Sequence, residues 1–99
     1  MRIAVTGASG FIGRAVLGAL SRRGIGAVAC ARANLAAVPA CGHKTLALDL
    51  HDAPADAFER LGRPDVLIHL AWGGLPNYLS LHHVETELPA QYRFLRSLV

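Results

Sequence analysis

The sequence predicts an α/β domain, half of a doubly wound parallel sheet, with helices on both faces and four strands in spatial order 3-2-1-4. Three observations carry this expectation. Short apolar runs alternate with stretches of helical periodicity in the order β-α-β-α-β-α-β-α, and such alternation with short connections argues parallel pairing. The run Val66-Leu67-Ile68-His69-Leu70-Ala71 is apolar almost throughout, as a strand covered on both faces must be. A glycine-rich stretch, Thr6 to Gly13, lies between the first strand and the first helix.

Ile3-Ala4-Val5 forms the first predicted strand. From Phe11 the apolar positions Phe11, Ile12, Ala15, Val16, Ala19 and Leu20 recur at helical spacing, with Arg14, Gly18 and Arg22 opposite. Gly24 suits the residue just past that helix. Ala27-Val28-Ala29-Cys30 reads as a second strand, weakened by its alanines. Asn34 to Val38 reads as a short helix ended by Pro39. Thr45-Leu46-Ala47-Leu48 is the third strand. Ala53 to Leu61 reads as an amphipathic helix with Asp52 as N-cap and Pro54 near its first position. Val66 to Ala71 is the fourth strand. Gly73-Gly74 and Pro76-Asn77 then break the pattern. A last helix begins at Glu87 or Leu88, with Pro89 tolerated in its first turn.

Length and composition bound the function. The chain has 99 residues, 53% hydrophobic and 17% charged, which suits one small domain and argues against disorder. No apolar run approaches the roughly 18–20 residues of a membrane span. The strand pattern starts at the second residue, so no cleavable signal peptide is expected, and a cytoplasmic location is. Ten Lys and Arg stand against seven acids, for a net charge of +3. The basic residues are scattered, and the one adjacent pair, Arg22-Arg23, falls at a helix C-terminus that favours cations, so nucleic-acid binding is not expected. Cys30 and Cys41 form no CxxC and are expected to be reduced thiols. His82 and His83 are neighbours whose side chains diverge. His43, His51 and His69 lack Cys or Glu at ligand spacing, so no metal site is expected.

Gly7, Gly10 and Gly13 fall three residues apart. A tight turn leaving a strand often needs positive φ, which glycine reaches without strain. Absent side chains let backbone N–H groups approach a pyrophosphate, and the helix N-terminus adds unpaired donors and a positive dipole end. The last glycine lets helix and strand pack closely. Strand before and helix after give this loop the context a dinucleotide site needs; the plain alternative is a tight turn without a ligand.

The segment Thr6-Gly7-Ala8-Ser9-Gly10-Phe11-Ile12-Gly13 resembles the TGxxGxxG motif of short-chain dehydrogenases/reductases, especially their extended branch, the NAD-dependent epimerase/dehydratase family. Leu48-Asp49-Leu50-His51-Asp52 resembles that family's Asp-hydrophobic-x-Asp segment after strand three, and His69-Leu70-Ala71-Trp72 its HLAA segment after strand four. The resemblance spans the whole chain but only the N-terminal part of the family's Rossmann fold. It implies that the backbone from Ser9 through Gly10, Phe11 and Ile12, together with Gly7 and Gly13, holds a pyrophosphate. Asp49 would accept a hydrogen bond from the adenine amino group, and Leu50 would add a backbone contact. Leu70, Ala71 and Trp72 would line the groove beside the riboses. Alternatives remain open at two positions: Asp49 as a solvated strand-end acid, and Trp72 as a packing residue in a structural loop. His69 reads as a partnered strand-end residue.

An acid at the end of strand two would bind a ribose 2′-OH and repel a 2′-phosphate. Here the segment is Cys30-Ala31-Arg32. Arg32 suits a 2′-phosphate, so NADP(H) is favoured over NAD(H), with stacking on adenine as the other role. The family's catalytic Tyr-x-x-x-Lys pair has no match: Tyr78 is followed four positions later by His82 and Tyr92 by Arg96, and Lys44 is the single lysine. No catalytic residue is therefore assigned. The chain is expected to be a dinucleotide-binding piece of a longer enzyme, interrupted before strand five and inactive alone. Its partners would be the dinucleotide and, in the longer enzyme, a nucleotide-linked sugar. The Trp72–Tyr78 segment looks like that of deoxyhexose 4-reductases/dehydrogenases. The alternative is a non-catalytic NAD(P)-sensing module. Strand four would be an open edge, giving marginal stability and aggregation or homodimerisation.

Overall fold

The computed structural model describes residues 1–39, 42–73 and 77–99. Four strands, β1 (Ile3–Thr6), β2 (Val28–Ala31), β3 (Lys44–Ala47) and β4 (Val66–His69), pair in parallel in the order β3-β2-β1-β4. The expected topology is therefore the observed one. Register is direct: Val5 lies opposite Ala29 and Ile68, and Thr6 opposite Cys30 and His69.

Alternation along the strands makes two cores. Ile3, Val5, Ala29 and Ala31 point to one face and pack with Leu17 of helix α1 (Phe11–Arg22). Ala4 and Cys30 point to the other and pack with Leu48, with Ala57 of α2 (Ala57–Arg60), with Leu61 and with Phe94 of α3 (Leu88–Ser97). Side chains alternate along a strand, so the central strands β1 and β2, covered on both faces, are apolar at nearly every position, whereas the outer strand β3 carries exposed Lys44 and Thr45. The alanines of β2 are poor strand formers in isolation, but Ala29 is wholly buried in the centre of the sheet, where packing outweighs propensity.

Helix α1 ends as expected. Gly24 takes φ +71. Its amide donates to the Ser21 carbonyl (3.0 Å) and that of Ile25 to the Leu20 carbonyl (2.9 Å), a Schellman cap. Its buried face is the expected one only in part: Val16 and Leu20 pack against the core and Arg14 and Arg22 are exposed, as their spacing predicts. Gly13 and Leu17 are buried, whereas Phe11, Ile12 and Ala15 are exposed.

Four other expectations shift. The Ala53–Leu61 helix is reduced to α2, preceded by a 3-10 turn at Leu50–Asp52, and Asp56 rather than Asp52 takes the N-cap position. Pro54 disfavours helical backbone at Ala53, which is extended (φ −69, ψ 135). Asn34–Val38 holds only a 3-10 turn, Leu35–Ala37, behind a left-handed Asn34. β2 and β3 are displaced by one residue from the expected segments. β4 stops at His69 because its partner β1 ends where Gly7 turns. Before α3 runs a wider π turn, His83–Glu87, and Pro89 sits in the first turn of α3. Cys41 and the Gly74, Leu75 and Pro76 part of the predicted break lie outside the described residues. Among the described residues no helix is long and apolar enough to cross a membrane.

Candidate functional site: a cleft at the strand ends

The carboxyl ends of all four strands open on one cleft of about 510 Å³. Ligands of open α/β sheets bind at this end. The twelve residues singled out from the sequence all line it: Gly7, Ser9, Gly10, Phe11, Ile12 and Gly13 on one side, Arg32 beyond β2, Asp49 and Leu50 beyond β3, and Leu70, Ala71 and Trp72 beyond β4.

Close approach dictates the loop's composition. Gly7 has φ +69, and a Cβ there would lie 2.8 Å from the Ala71 nitrogen. A Cβ on Gly13 would overlap the Gly7 carbonyl oxygen and lie 2.9 Å from the Ala8 Cα. These bare backbones form a cradle that any side chain would fill. At its floor begins α1, whose N-cap Gly10 offers no side-chain cap and whose first turn holds no acid. The first amides of α1 therefore keep unpaired donors and the positive end of the helix dipole. Such a floor fits a pyrophosphate.

The remaining walls carry side-chain chemistry. Arg32 is exposed and makes no ion pair among the described residues. Asp49 is exposed, and one carboxylate oxygen accepts the His51 amide (3.0 Å), leaving the other free to accept from a ligand. Trp72 is 39% exposed; its indole N–H donates to His83 Nδ1 (2.7 Å), and its ring stacks on that imidazole. Trp72 thus stands at the mouth of the cleft instead of packing beneath the sheet.

Eight further residues line the cleft, and five of them belong to a network that sequence reasoning missed: Thr6, His51, Gly73, Glu87 and Gln91. Thr6 Oγ1 accepts from the amides of Leu70 (3.1 Å) and Ala71 (3.3 Å), so its hydroxyl donates to His69 Nδ1 (2.7 Å). His69 Nε2–H then donates to Gln91 Oε1. The Gln91 amide donates to the Ala71 carbonyl (3.0 Å) and to Glu87 Oε2 (2.7 Å). Glu87 also accepts from the Gly73 amide (3.0 Å) and His51 Nε2 (3.0 Å), with His82 Nε2 at 3.4 Å. His69 is thus a partnered strand-end residue, as its position suggested. The signal for the network was present: Glu87, Ala90, Gln91 and Phe94 share one helical stripe, and all four are buried. The other histidines also have protein partners. His43 ties α1 to β2, receiving the Ala27 amide (3.1 Å) at Nδ1 and facing the Leu17 carbonyl (3.0 Å) with Nε2. Among the described residues no three His, Cys, Asp or Glu side chains group to hold a metal.

Two ionisable groups at the cleft are shifted. Burial pushes the Cys30 thiol up to about 11, so it stays protonated and unreactive near neutral pH. Burial alone would raise Glu87, but hydrogen bonds from Gln91 and His51, the His51 charge and the Gly73 amide outweigh it and hold the carboxyl below its ordinary value. A depressed folded pKa contributes stability that is complete above the unfolded value and is lost as pH falls through the folded one. The melting-temperature advantage of the wild type over Glu87→Gln should therefore be full at neutral pH and shrink below about pH 4.3. Thermal melts of both proteins from pH 7 to 3 check this, and a constant difference would contradict it.

A parallel 3-2-1-4 sheet with flanking helices and a glycine turn leading into α1 is a Rossmann-like fold. The model of the NAD dependent epimerase/dehydratase family matches residues 3–84, and the chain belongs to that family. Its fold is similar to that of UDP-glucose 4-epimerase from Thermus thermophilus, solved with NAD (TM-score 0.77, 25% identity, covering 99% of this chain and 32% of that one). It is also similar to UDP-glucose 4-epimerase from Thermotoga maritima, solved with UDP-glucose (TM-score 0.76, 22% identity, 99% and 32% covered). A short-chain dehydrogenase/reductase from Vibrio parahaemolyticus shares the fold as well (TM-score 0.71, 24% identity, 98% and 51% covered). The chain thus spans about a third of the length of the two epimerases. No curated protein sequence matches it at a significant level.

Proposed function

We propose that these 99 residues are the dinucleotide-binding portion of an NAD(P)-dependent enzyme that acts on a nucleotide-linked sugar as oxidoreductase, epimerase or dehydratase, with a deoxyhexose 4-reductase/dehydrogenase as the particular type. The observation that carries the reading is the Gly7–Gly13 cradle over the start of α1, where added side chains would collide with backbone. The bound dinucleotide would supply hydride chemistry. The chain's own residues bind and orient: the amides at the start of α1 take the pyrophosphate, Asp49 the adenine amino group, and Leu70, Ala71 and Trp72 border the riboses. We assign the proton-transfer residues to sequence beyond these 99, since no Tyr-x-x-x-Lys pair occurs here.

NADP(H) is the favoured cofactor. Arg32 follows β2 directly and is exposed on the cleft, and the Cys30-Ala31-Arg32 segment carries no acid to repel a 2′-phosphate. A cytoplasmic location belongs to the same proposal and accords with the free thiol of Cys30. So does self-association, through the outer strand β4 or the exposed Val84, Leu88 and Tyr92. Calorimetric titration with NADPH and NADH tests the reading. Saturable binding of both, tighter for NADPH, is expected; binding of neither would refute it.

A further inference from the structure

We propose that Glu87 is a positioning residue for the cleft: its carboxylate ties the turn after β3 to the wall after β4 and so fixes the width of the mouth between them. The role rests on the dinucleotide reading above.

Glu87 is 1% exposed and accepts hydrogen bonds from three separate segments. His51 comes from the 3-10 turn that also carries Leu50 and follows Asp49, and its Nε2 lies 3.1 and 3.0 Å from the two carboxylate oxygens. Gly73 comes from the wall after β4, and its amide reaches Oε1 at 3.0 Å. Gln91 lies one turn along α3 and reaches Oε2 at 2.7 Å. Every one of these partners donates. A carboxylate, acceptor at both oxygens, answers all of them at once; a glutamine would turn an NH₂ group toward one donor or another.

The two tied segments both line the cleft. Asp49 and Leu50 lie just before His51, and Trp72 lies just before Gly73. A Cβ at Gly73 would collide with the Glu87 carboxylate, so the wall's backbone sits directly on the acid. Releasing Glu87 should free both lips while leaving the cradle around Gly7 and Gly13 in place.

Trp72 is the single tryptophan of the chain, so its emission reports this wall. Glu87→Gln in the 99-residue protein should raise acrylamide quenching of Trp72 without ligand and weaken NADPH by about tenfold, the value of one charged hydrogen bond. His51→Ala releases only the other lip: it should weaken NADPH by about threefold and leave Trp72 quenching unchanged. Because His51 acts through Glu87, the double variant should bind no worse than Glu87→Gln. A purely structural role would lower the melting temperature without this split between the two readouts. Wild-type quenching and affinity in Glu87→Gln, or additive losses in the double variant, would overturn the proposal. If Glu87→Gln does not fold, His51→Ala decides: unchanged affinity overturns the tie. If the wild type binds neither dinucleotide, the function above fails separately, and Trp72 quenching alone judges whether Glu87 holds the wall.

Discussion

Replacing Gly13 with alanine is expected to destabilise the protein by about 1–3 kcal/mol, the usual cost of overpacking a tight interior, and to abolish dinucleotide binding. The added methyl overlaps the Gly7 carbonyl oxygen and lies 2.9 Å from the Ala8 Cα. Both are backbone atoms, so no side chain can swing aside. Either α1 lifts from the loop, uncovering Leu17, or the Gly7 turn deforms and the cradle closes. Helix propensity works the other way, since alanine is favoured over glycine by up to about 1 kcal/mol. The sign of the result therefore shows which effect wins. Gly18, in the same helix, is the control: a Cβ there meets only the far end of the Arg22 side chain at 3.5 Å. Gly18→Ala should raise the melting temperature by a few degrees, while Gly13→Ala should lower it by about 4–8 °C per kcal/mol lost. Equal melting temperatures for the two variants would contradict the close packing of α1 on the loop.

Arg32→Ala is expected to weaken NADP(H) by about tenfold to a hundredfold and NAD(H) far less. A charge-assisted hydrogen bond to a phosphate contributes about 1.5–3 kcal/mol, and each factor of ten is about 1.4 kcal/mol. Arg32 is available for the role because it is exposed and makes no ion pair among the described residues. If the guanidinium instead stacks on adenine, a moiety both cofactors share, both lose alike. Titration of wild type and Arg32→Ala with each cofactor separates the two roles, and equal losses would remove the case for NADP(H).

The sheet and the glycine loop were legible because each is enforced locally. Gly7 and Gly13 answer a steric demand that no other residue meets, and the apolar run from Val66 packs on two faces, Ile68 and Leu70 against one core and Leu67 against the other, though only partly buried there. The packing face of α1 was legible only in part: Val16 and Leu20 meet the core as their spacing predicts, but the first turn does not. Phe11 and Ile12 are apolar, yet the first turn of the helix stands over the cleft instead of the sheet, so they are exposed, at 84% and 60%. The length of α2 failed on Pro54, which suits a helix's first position but here holds Ala53 extended before it. The Glu87 network escaped for a different reason. Its partners lie 36 positions apart for His51 and 14 for Gly73, and only the folded sheet brings them together. Apolar Leu88 and Leu95 also mask the polar residues that α3 turns inward. They are exposed, at 53% and 38%, while Glu87 and Gln91 are buried.

The central claim is that this cleft holds a dinucleotide with its pyrophosphate on the start of α1. The most direct measurement is a titration of the ¹⁵N-labelled 99-residue protein with NADP, read by the backbone amide resonances. Saturable shifts at Ser9, Gly10, Phe11, Ile12 and Gly13, with a second group at Arg32 and Asp49, are the predicted result. Absence of saturable shifts, or shifts confined to residues away from the strand ends, would contradict it.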